Sequence, residues 1–232
     1  MLNEQGSRAI VVAGGRGTRF GGSIPKQFMQ LGGMPIMFHS VITFAKNALI
    51  DGIVLVVPAG YQDFCREWVK RLGINKIDSI VSGGDTRQKS VYIGLCAMPS
   101  SSVVLIHDGA RPFIKDDAIS DLISRAARYG AATLAVLSTN TVKIASDGFV
   151  DKTLDRDNIF IVQTPQAFRR DIIIKAHENA ININFEAYDD CHLAENIGVM
   201  PAIVMGCPRN IKITHDIDII IASHILETDE ER

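Results

Sequence analysis

The chain has 232 residues, 47% of them hydrophobic and 22% charged, with a formal net charge of −2. Those values describe one folded domain, or at most two, with an ample core. They exclude a strongly basic nucleic-acid binder and a disordered chain, and with no apolar run approaching about 18 residues they point to no membrane-spanning helix. The opening residues, MLNEQGSR, lack the apolar core of a signal peptide. Four widely spaced cysteines, Cys65, Cys96, Cys191 and Cys207, form no C-x-x-C, which predicts free thiols in a cytoplasmic protein.

The first element is a short apolar run, Ala9 to Val12, closed by glycine and predicted as a buried strand. Gly14, Gly15 and Gly17 crowd the turn after it, where backbone N–H groups can converge on an anion. Arg19 and Lys26 follow, and strand, glycine turn and cations together suggest a triphosphate cradle. A plain turn with solvated cations is the competing reading. Two familiar phosphate motifs are excluded: no Lys-Ser or Lys-Thr pair completes a Walker A loop, and Phe20 stands where a dinucleotide fingerprint needs its third Gly or Ala.

Pro35 to Lys46 is predicted as a helix, Ile53 to Val57 as a strand, and Tyr61 to Leu72 as a helix with Phe64, Cys65, Trp68, Val69 and Leu72 on one face. This alternation argues for βαβ units and a mainly parallel sheet. A strand ending in Gly83-Gly84 then meets a helix from about Arg87, capped by Asp85 or Thr86, with Val91, Leu95 and Ala97 inward. The loop is either an ordinary capped connection or a site where Gly84, Asp85 and Ser90 meet a pyrimidine edge. Ligands of open α/β sheets bind at carboxyl ends of strands, where this loop lies.

Val103 to Ile106 is a predicted central strand with Asp108 at its carboxyl end, where a carboxylate can hold Mg²⁺ bridging nucleotide phosphates. His107 is either a packed histidine or a catalytic one, and Arg111 could pair with Asp108. Asp116 to Tyr129 is an amphipathic helix with Ile119, Leu122, Ile123 and Ala126 inward, and Thr133 to Leu137 a strand. Thr141 to Leu154 is a predicted hairpin turning at Asp147-Gly148. Such a hairpin is marginal alone and needs a partner surface. A strand at Ile159 to Val162 precedes Gln163-Thr164-Pro165-Gln166. A helix over Asp171 to Asn179, a strand over Ala202 to Met205, a strand lysine at Lys212 and a closing helix over Thr214 to Thr228 complete the chain.

Six stretches in order carry a resemblance: A-G-G-x-G-T-R with P-K-Q, G-G-D-x-R-x-x-S-V, H-D-x-A-R-P, the hairpin leading to Asp155-Arg156, Q-T-P-Q, and N-I-K-I-T. Together they resemble the 2-C-methyl-D-erythritol 4-phosphate cytidylyltransferases among the sugar-phosphate nucleotidyltransferases, over about Arg8 to Leu226. The resemblance implies a Rossmann-like three-layer α/β sandwich, a single domain with a mainly parallel sheet, whose protruding β-hairpin, about residues 138–157, clasps that of a second subunit. It implies that Ala13, Gly14, Gly15, Gly17, Gly84, Asp85 and Ser90 bind the nucleotide, and that Arg19, Lys26, Arg156 and Lys212 carry the reaction. Asp108, Thr141, Arg156, Thr164 and Lys212 would bind the polyol phosphate, with Asp108 also holding Mg²⁺ and Arg156 reaching the neighbouring subunit's site. The implied reaction joins a polyol phosphate to CTP, releasing pyrophosphate, in isoprenoid precursor synthesis.

Two departures stand out. Tyr188 occupies the place where the family usually has Thr, leaving the polyol open, with ribitol 5-phosphate as the alternative acceptor. Arg209 stands where some members have an acid. Outside the class, a nucleotide-binding dehydrogenase lacks support, because the third Gly is missing and Val56-Val57-Pro58 offers no ribose-binding acid. A non-catalytic nucleotide sensor would not need Arg19, Lys26, Asp108 and Lys212 together.

Overall fold

The computed structural model describes residues 6–14 and 25–230. In chain order the strands are β1 Ser7–Val12, β2 Gln30–Leu31, β3 Met34–Pro35, β4 Ile50–Val57, β5 Ile77–Ser82, β6 Val103–Asp108, β7 Ala131–Leu137, β8 Lys143–Ser146, β9 Phe149–Thr153, β10 Phe160–Arg169 and β11 Ala202–Met205. The helices are α1 Ile36–Lys46, α2 Gln62–Arg71, α3 Arg87–Ala97, α4 Asp116–Tyr129, α5 Arg170–Asn182, α6 Asp190–Asn196 and α7 Asp216–Glu230. Short 3₁₀ turns cover Lys26–Phe28 and Arg156–Asn158.

Among the described residues one seven-stranded sheet runs in the order β11-β7-β10-β6-β1-β4-β5. Strands β5, β4, β1 and β6 are parallel to one another, while β10 is antiparallel to both its neighbours and β11 is parallel to β7. The central strands bury both faces, which explains their unbroken apolar sequence. Ala9, Val11, Ile53, Leu55, Val103 and Leu105 face one core with α1, α2 and α4. Ile10, Val54, Val56, Val104 and Ile106 face the other with α3, α5 and α6. The three layers that the resemblance implies are therefore present, and α4 buries Ile119, Leu122, Ile123 and Ala126 as its spacing requires.

Two local predictions are corrected. Gln163-Thr164-Pro165-Gln166 does not follow a strand; it lies inside the ten-residue β10, whose ladder with β7 is interrupted between Val162 and Gln166. Lys212 is not a strand lysine, since the chain from Gly206 to His215 is a loop. On α7 the apolar run is only partly buried: Ile225 is packed, while Ile217, Ile220 and Ile221 are exposed. The hairpin forms as read, with Asp147 and Gly148 at φ 49° and 85° and Ser146 paired to Phe149. Both positive φ angles are what a two-residue type I′ turn demands. No helix among the described residues is long and apolar enough to cross a membrane.

Candidate active site

The register of β1 against β6 sets Val12 opposite Asp108, so the glycine turn and the carboxylate emerge at the same end of the sheet. Gly109 N–H donates to Val12 O at 2.9 Å, and Ala13 N–H donates to Val56 O at 2.7 Å. Gln27, next to Lys26, donates its side-chain amide to Ala13 O, which ties the P-K-Q stretch back to the start of the cradle. Gly15, Gly17 and Arg19 lie outside the described residues.

The loop after β5 closes against that turn. A Cβ on Gly83 would sit 2.7 Å from Ser90 Oγ, and one on Gly14 would sit 3.1 Å from the same oxygen. A side chain at Gly83 would force the Ser90 hydroxyl to move, and one at Gly14 would press against it. Buried Ser90 accepts from Gly84 N–H at 3.1 Å and donates to Thr86 O at 2.8 Å, so its hydroxyl shapes the loop from inside. Thr86, not Asp85, is the helix cap, accepting from Lys89 N–H at 3.1 Å. Asp85 is exposed and pairs with Lys89 at 2.9 Å, a bond that holds its carboxyl below the usual range.

Asp108 is the hub. Its Oδ1 receives Arg87 Nε at 2.9 Å and its Oδ2 receives Lys212 Nζ at 2.6 Å. Burial opposes charge here, but the two cations outweigh it and hold the carboxyl far below the ordinary carboxylate range. Asp108 N–H donates to Thr164 Oγ1 at 3.0 Å. The Thr164 hydroxyl lies 3.2 Å from His107 Nδ1, and His107 Nε2 is 2.9 Å from Arg111 O. With Nε2 protonated and donating to that carbonyl, Nδ1 accepts from the hydroxyl, and Thr164 Oγ1 keeps one lone pair uncommitted.

His107 is thus the packed alternative: it is fully buried, edge-on to Phe44, and burial lowers its pKa to about 4, leaving it neutral. Arg111 makes no ion pair with Asp108 among the described residues. It donates to Asn210 O at 2.7 Å, bracing the loop that carries Lys212. Asn210 in turn donates to Thr164 O at 3.0 Å.

Asp108, Thr164 and Lys212 therefore converge, with Gly14 and Ser90 meeting beside them. Thr141 and Arg156 do not join this cluster: both are exposed, and among the described residues neither side chain is hydrogen-bonded or ion-paired to it. Three participants went unread in the sequence: Arg87, which bridges Asp108 to Asp190 at 2.8 Å, Asp190 itself, and Gln166 behind it. One signal was available for Arg87. A cation at the first position of a helix faces the positive end of the dipole and calls for acidic partners. Buried Gln166 and Asp190 have no such local signal.

A metal carried on nucleotide phosphates needs only one or two protein carboxylates. Among the described residues no group of three or more His, Cys, Asp or Glu could hold a metal by itself; Asp108 is the buried carboxylate at this end of the sheet, and its two oxygens are engaged by Arg87 and Lys212.

Comparison with known proteins bears on this site. The sequence pattern of the family described as IspD: 2-C-methyl-D-erythritol 4-phosphate cytidylyltransferase matches residues 8–228. The chain is 43% identical over 227 residues to the 2-C-methyl-D-erythritol 4-phosphate cytidylyltransferase of Pelotomaculum thermopropionicum, covering 97% of this chain and 95% of that protein. It is 45% identical over 221 residues to that of Clostridium novyi, covering 94% and 96%. The crystal structure of 4-diphosphocytidyl-2C-methyl-D-erythritol synthase from Anaerococcus prevotii superposes with a TM-score of 0.87 at 31% identity, covering 97% of this chain and 98% of that one. The Thermus thermophilus cytidylyltransferase gives 0.78 at 28% identity, covering 96% and 99%. A pattern spanning nearly the whole chain, together with relatives more than 40% identical over almost their full length, places this chain in the 2-C-methyl-D-erythritol 4-phosphate cytidylyltransferase family.

Proposed function

We propose that the chain joins 2-C-methyl-D-erythritol 4-phosphate to CTP. An oxygen of the phosphate monoester attacks the α-phosphorus, and the bond from that phosphorus to the pyrophosphate oxygen breaks. The products are 4-diphosphocytidyl-2-C-methyl-D-erythritol and pyrophosphate. A phosphate monoester is already anionic at neutral pH, so the reaction calls for no general base. It calls for positioning and for charge stabilisation. The neutral, fully enclosed His107 accords with that. The single observation that carries the reading is Lys212 held at 2.6 Å on Asp108, at the carboxyl end of β6 and beside the Gly14 turn.

In this mechanism Ala13, Gly14, Gly15 and Gly17 cradle the triphosphate while Gly84, Asp85 and Ser90 frame the cytosine. Arg19 and Lys26 stabilise charge on the α-phosphate and the departing pyrophosphate. Arg does so as a fork and Lys as a point charge. Lys212 and Arg156 hold the incoming phosphate, with Thr141 and the spare lone pair of Thr164 on the polyol side. Asp108 is the residue that would hold Mg²⁺, which would supply neutralising charge for the nucleotide phosphates.

Arg156 fits this scheme from a second copy of the chain. The hairpin before it exposes Ile144 (49%), Phe149 (78%) and Val150 (59%), apolar surface that a two-fold partner would cover. A homodimer in the cytoplasm, closed by two such arms, is accordingly part of the proposal. Tyr188, 95% exposed where the family usually has Thr, keeps ribitol 5-phosphate as the competing acceptor.

The test is pyrophosphate release from CTP and Mg²⁺ with each polyol phosphate. The proposal expects turnover with 2-C-methyl-D-erythritol 4-phosphate and a preference for CTP over UTP, ATP and GTP. Comparable turnover with ATP, or turnover confined to ribitol 5-phosphate, would overturn it.

A further inference from the structure

Arg87 and Asp190 are the members of the polar cluster that the proposed chemistry does not use. Arg87 opens α3, Asp108 closes β6 and Asp190 opens α6, so three elements meet at one guanidinium. Its fork is divided: Nε goes to Asp108 Oδ1 at 2.9 Å and Nη1 to Asp190 Oδ2 at 2.8 Å. Asp190 is itself immobilised. Its side chain is 1% exposed, and Gln166 Oε1 accepts from the backbone N–H of Asp190 at 3.1 Å and of Cys191 at 3.3 Å. The same amide donates to Asp189 Oδ2 at 2.8 Å, so one side chain fixes the whole start of α6. His177 Nε2 stands 3.6 Å from the other oxygen of Asp190.

We infer that Arg87 is a positioning residue, locked by Asp190, that fixes the Asp108 carboxylate so that its second oxygen holds Lys212 ready for the incoming phosphate. This rests on the roles given above to Asp108 and Lys212. A carboxylate turns readily about its last torsion, so one oxygen must be pinned for the other to keep a direction. Arg87 supplies that pin, and only a planar fork can serve two acids at a fixed angle. The charges also balance: two carboxylates face two cations. Without Asp190, Arg87 would have Asp108 as its sole acid and could take both its oxygens in a bidentate pair. Lys212 would then lose its seat, although nothing that touches substrate had been changed. The base loop is insulated from this change, because it is held by Ser90 on Gly84 and Thr86, not by the guanidinium.

The test is steady-state kinetics on Arg87→Lys, Asp190→Asn, the double variant, and Lys212→Ala as a reference, with melting curves on each. Misplacement of a positioned group costs about 10²-fold, so each single variant should lose kcat on that scale, while KM for CTP stays within about threefold. Since both changes break one clamp, the double variant should fall no more than about threefold below the worse single one. A merely structural role predicts neither the split between kcat and KM nor this failure to multiply. A folded Asp190→Asn with kcat within about threefold of the parent overturns the clamp; so does a double loss equal to the product of the singles. If Arg87→Lys does not fold, the kcat and KM of Asp190→Asn alone decide. Lys212→Ala with undiminished turnover would instead overturn the reading of the site beneath it, which separates the two failures.

Discussion

The Asp108 cluster and the β8–β9 hairpin lie in one chain and are built on opposite plans. At Asp108 both carboxylate oxygens are taken by cations. Threonine, histidine, asparagine and arginine brace the surrounding loops through buried hydrogen bonds. In the hairpin every strand residue is exposed, including large apolar ones, and the visible bonds are local, such as Lys143 to Thr153 and Ser146 to Asp151. The first region is braced within the chain; the second leaves apolar side chains exposed, which the proposal has a second copy of the chain cover. Asp108, Thr164 and Lys212 belong to the first plan, and Arg156, at the foot of the hairpin, belongs to the second.

The comparison breaks most completely if the hairpin is removed. Replacing Thr141–Leu154 by a short Gly-Ser link should abolish both the dimer and turnover, while calorimetry still detects CTP binding to the remaining monomer. A fully active monomer would mean that the arm is ornament.

Next in size is Lys26. It sits on the braced side, anchored through Gln27 on Ala13. Lys26→Ala should lower kcat by roughly 10²–10³, the usual loss of one donor to developing charge, and raise KM for CTP far less. A change in kcat below about threefold would make Lys26 a bystander.

The smallest effect concerns the packing behind Asp108. Burial lowers the pKa of His107 from 6.5 to about 4. As pH falls below 6.5 the unfolded chain takes up a proton that the folded chain refuses. Stability fully present above that pH is therefore lost on the way down to about 4, by on the order of 3 kcal/mol. His107→Gln should flatten that part of the stability profile, followed by denaturant unfolding across the window. Equal slopes in parent and variant would show that His107 does not carry it.

Much of this was legible in the sequence because it is written in local terms. Both-sided burial leaves unbroken apolar strands at Ile10–Val12 and Val103–Ile106, and α4 announces itself by spacing and by Asp116 and Asp117 in its first turn. Asp147-Gly148 specifies its turn by chemistry alone. What was hidden is long-range. Gln166 continues a strand and bonds to residues more than twenty positions away, and Arg87 meets Asp190 from 103 positions off. Neither period nor turn chemistry encodes such pairs. Asn210 likewise gives no hint that it props Thr164 from another segment.

The most direct test of the contrast is subunit mixing. Arg156→Ala and Lys26→Ala homodimers, each weak alone, are dissociated and recombined in equal amounts, and pyrophosphate release is followed. If Arg156 serves the neighbouring site, each hybrid holds one site with both residues intact, and random exchange should restore about a quarter of the parent activity. If Arg156 serves its own subunit, every site lacks one residue. Proven hybrids with no rescue would contradict the account.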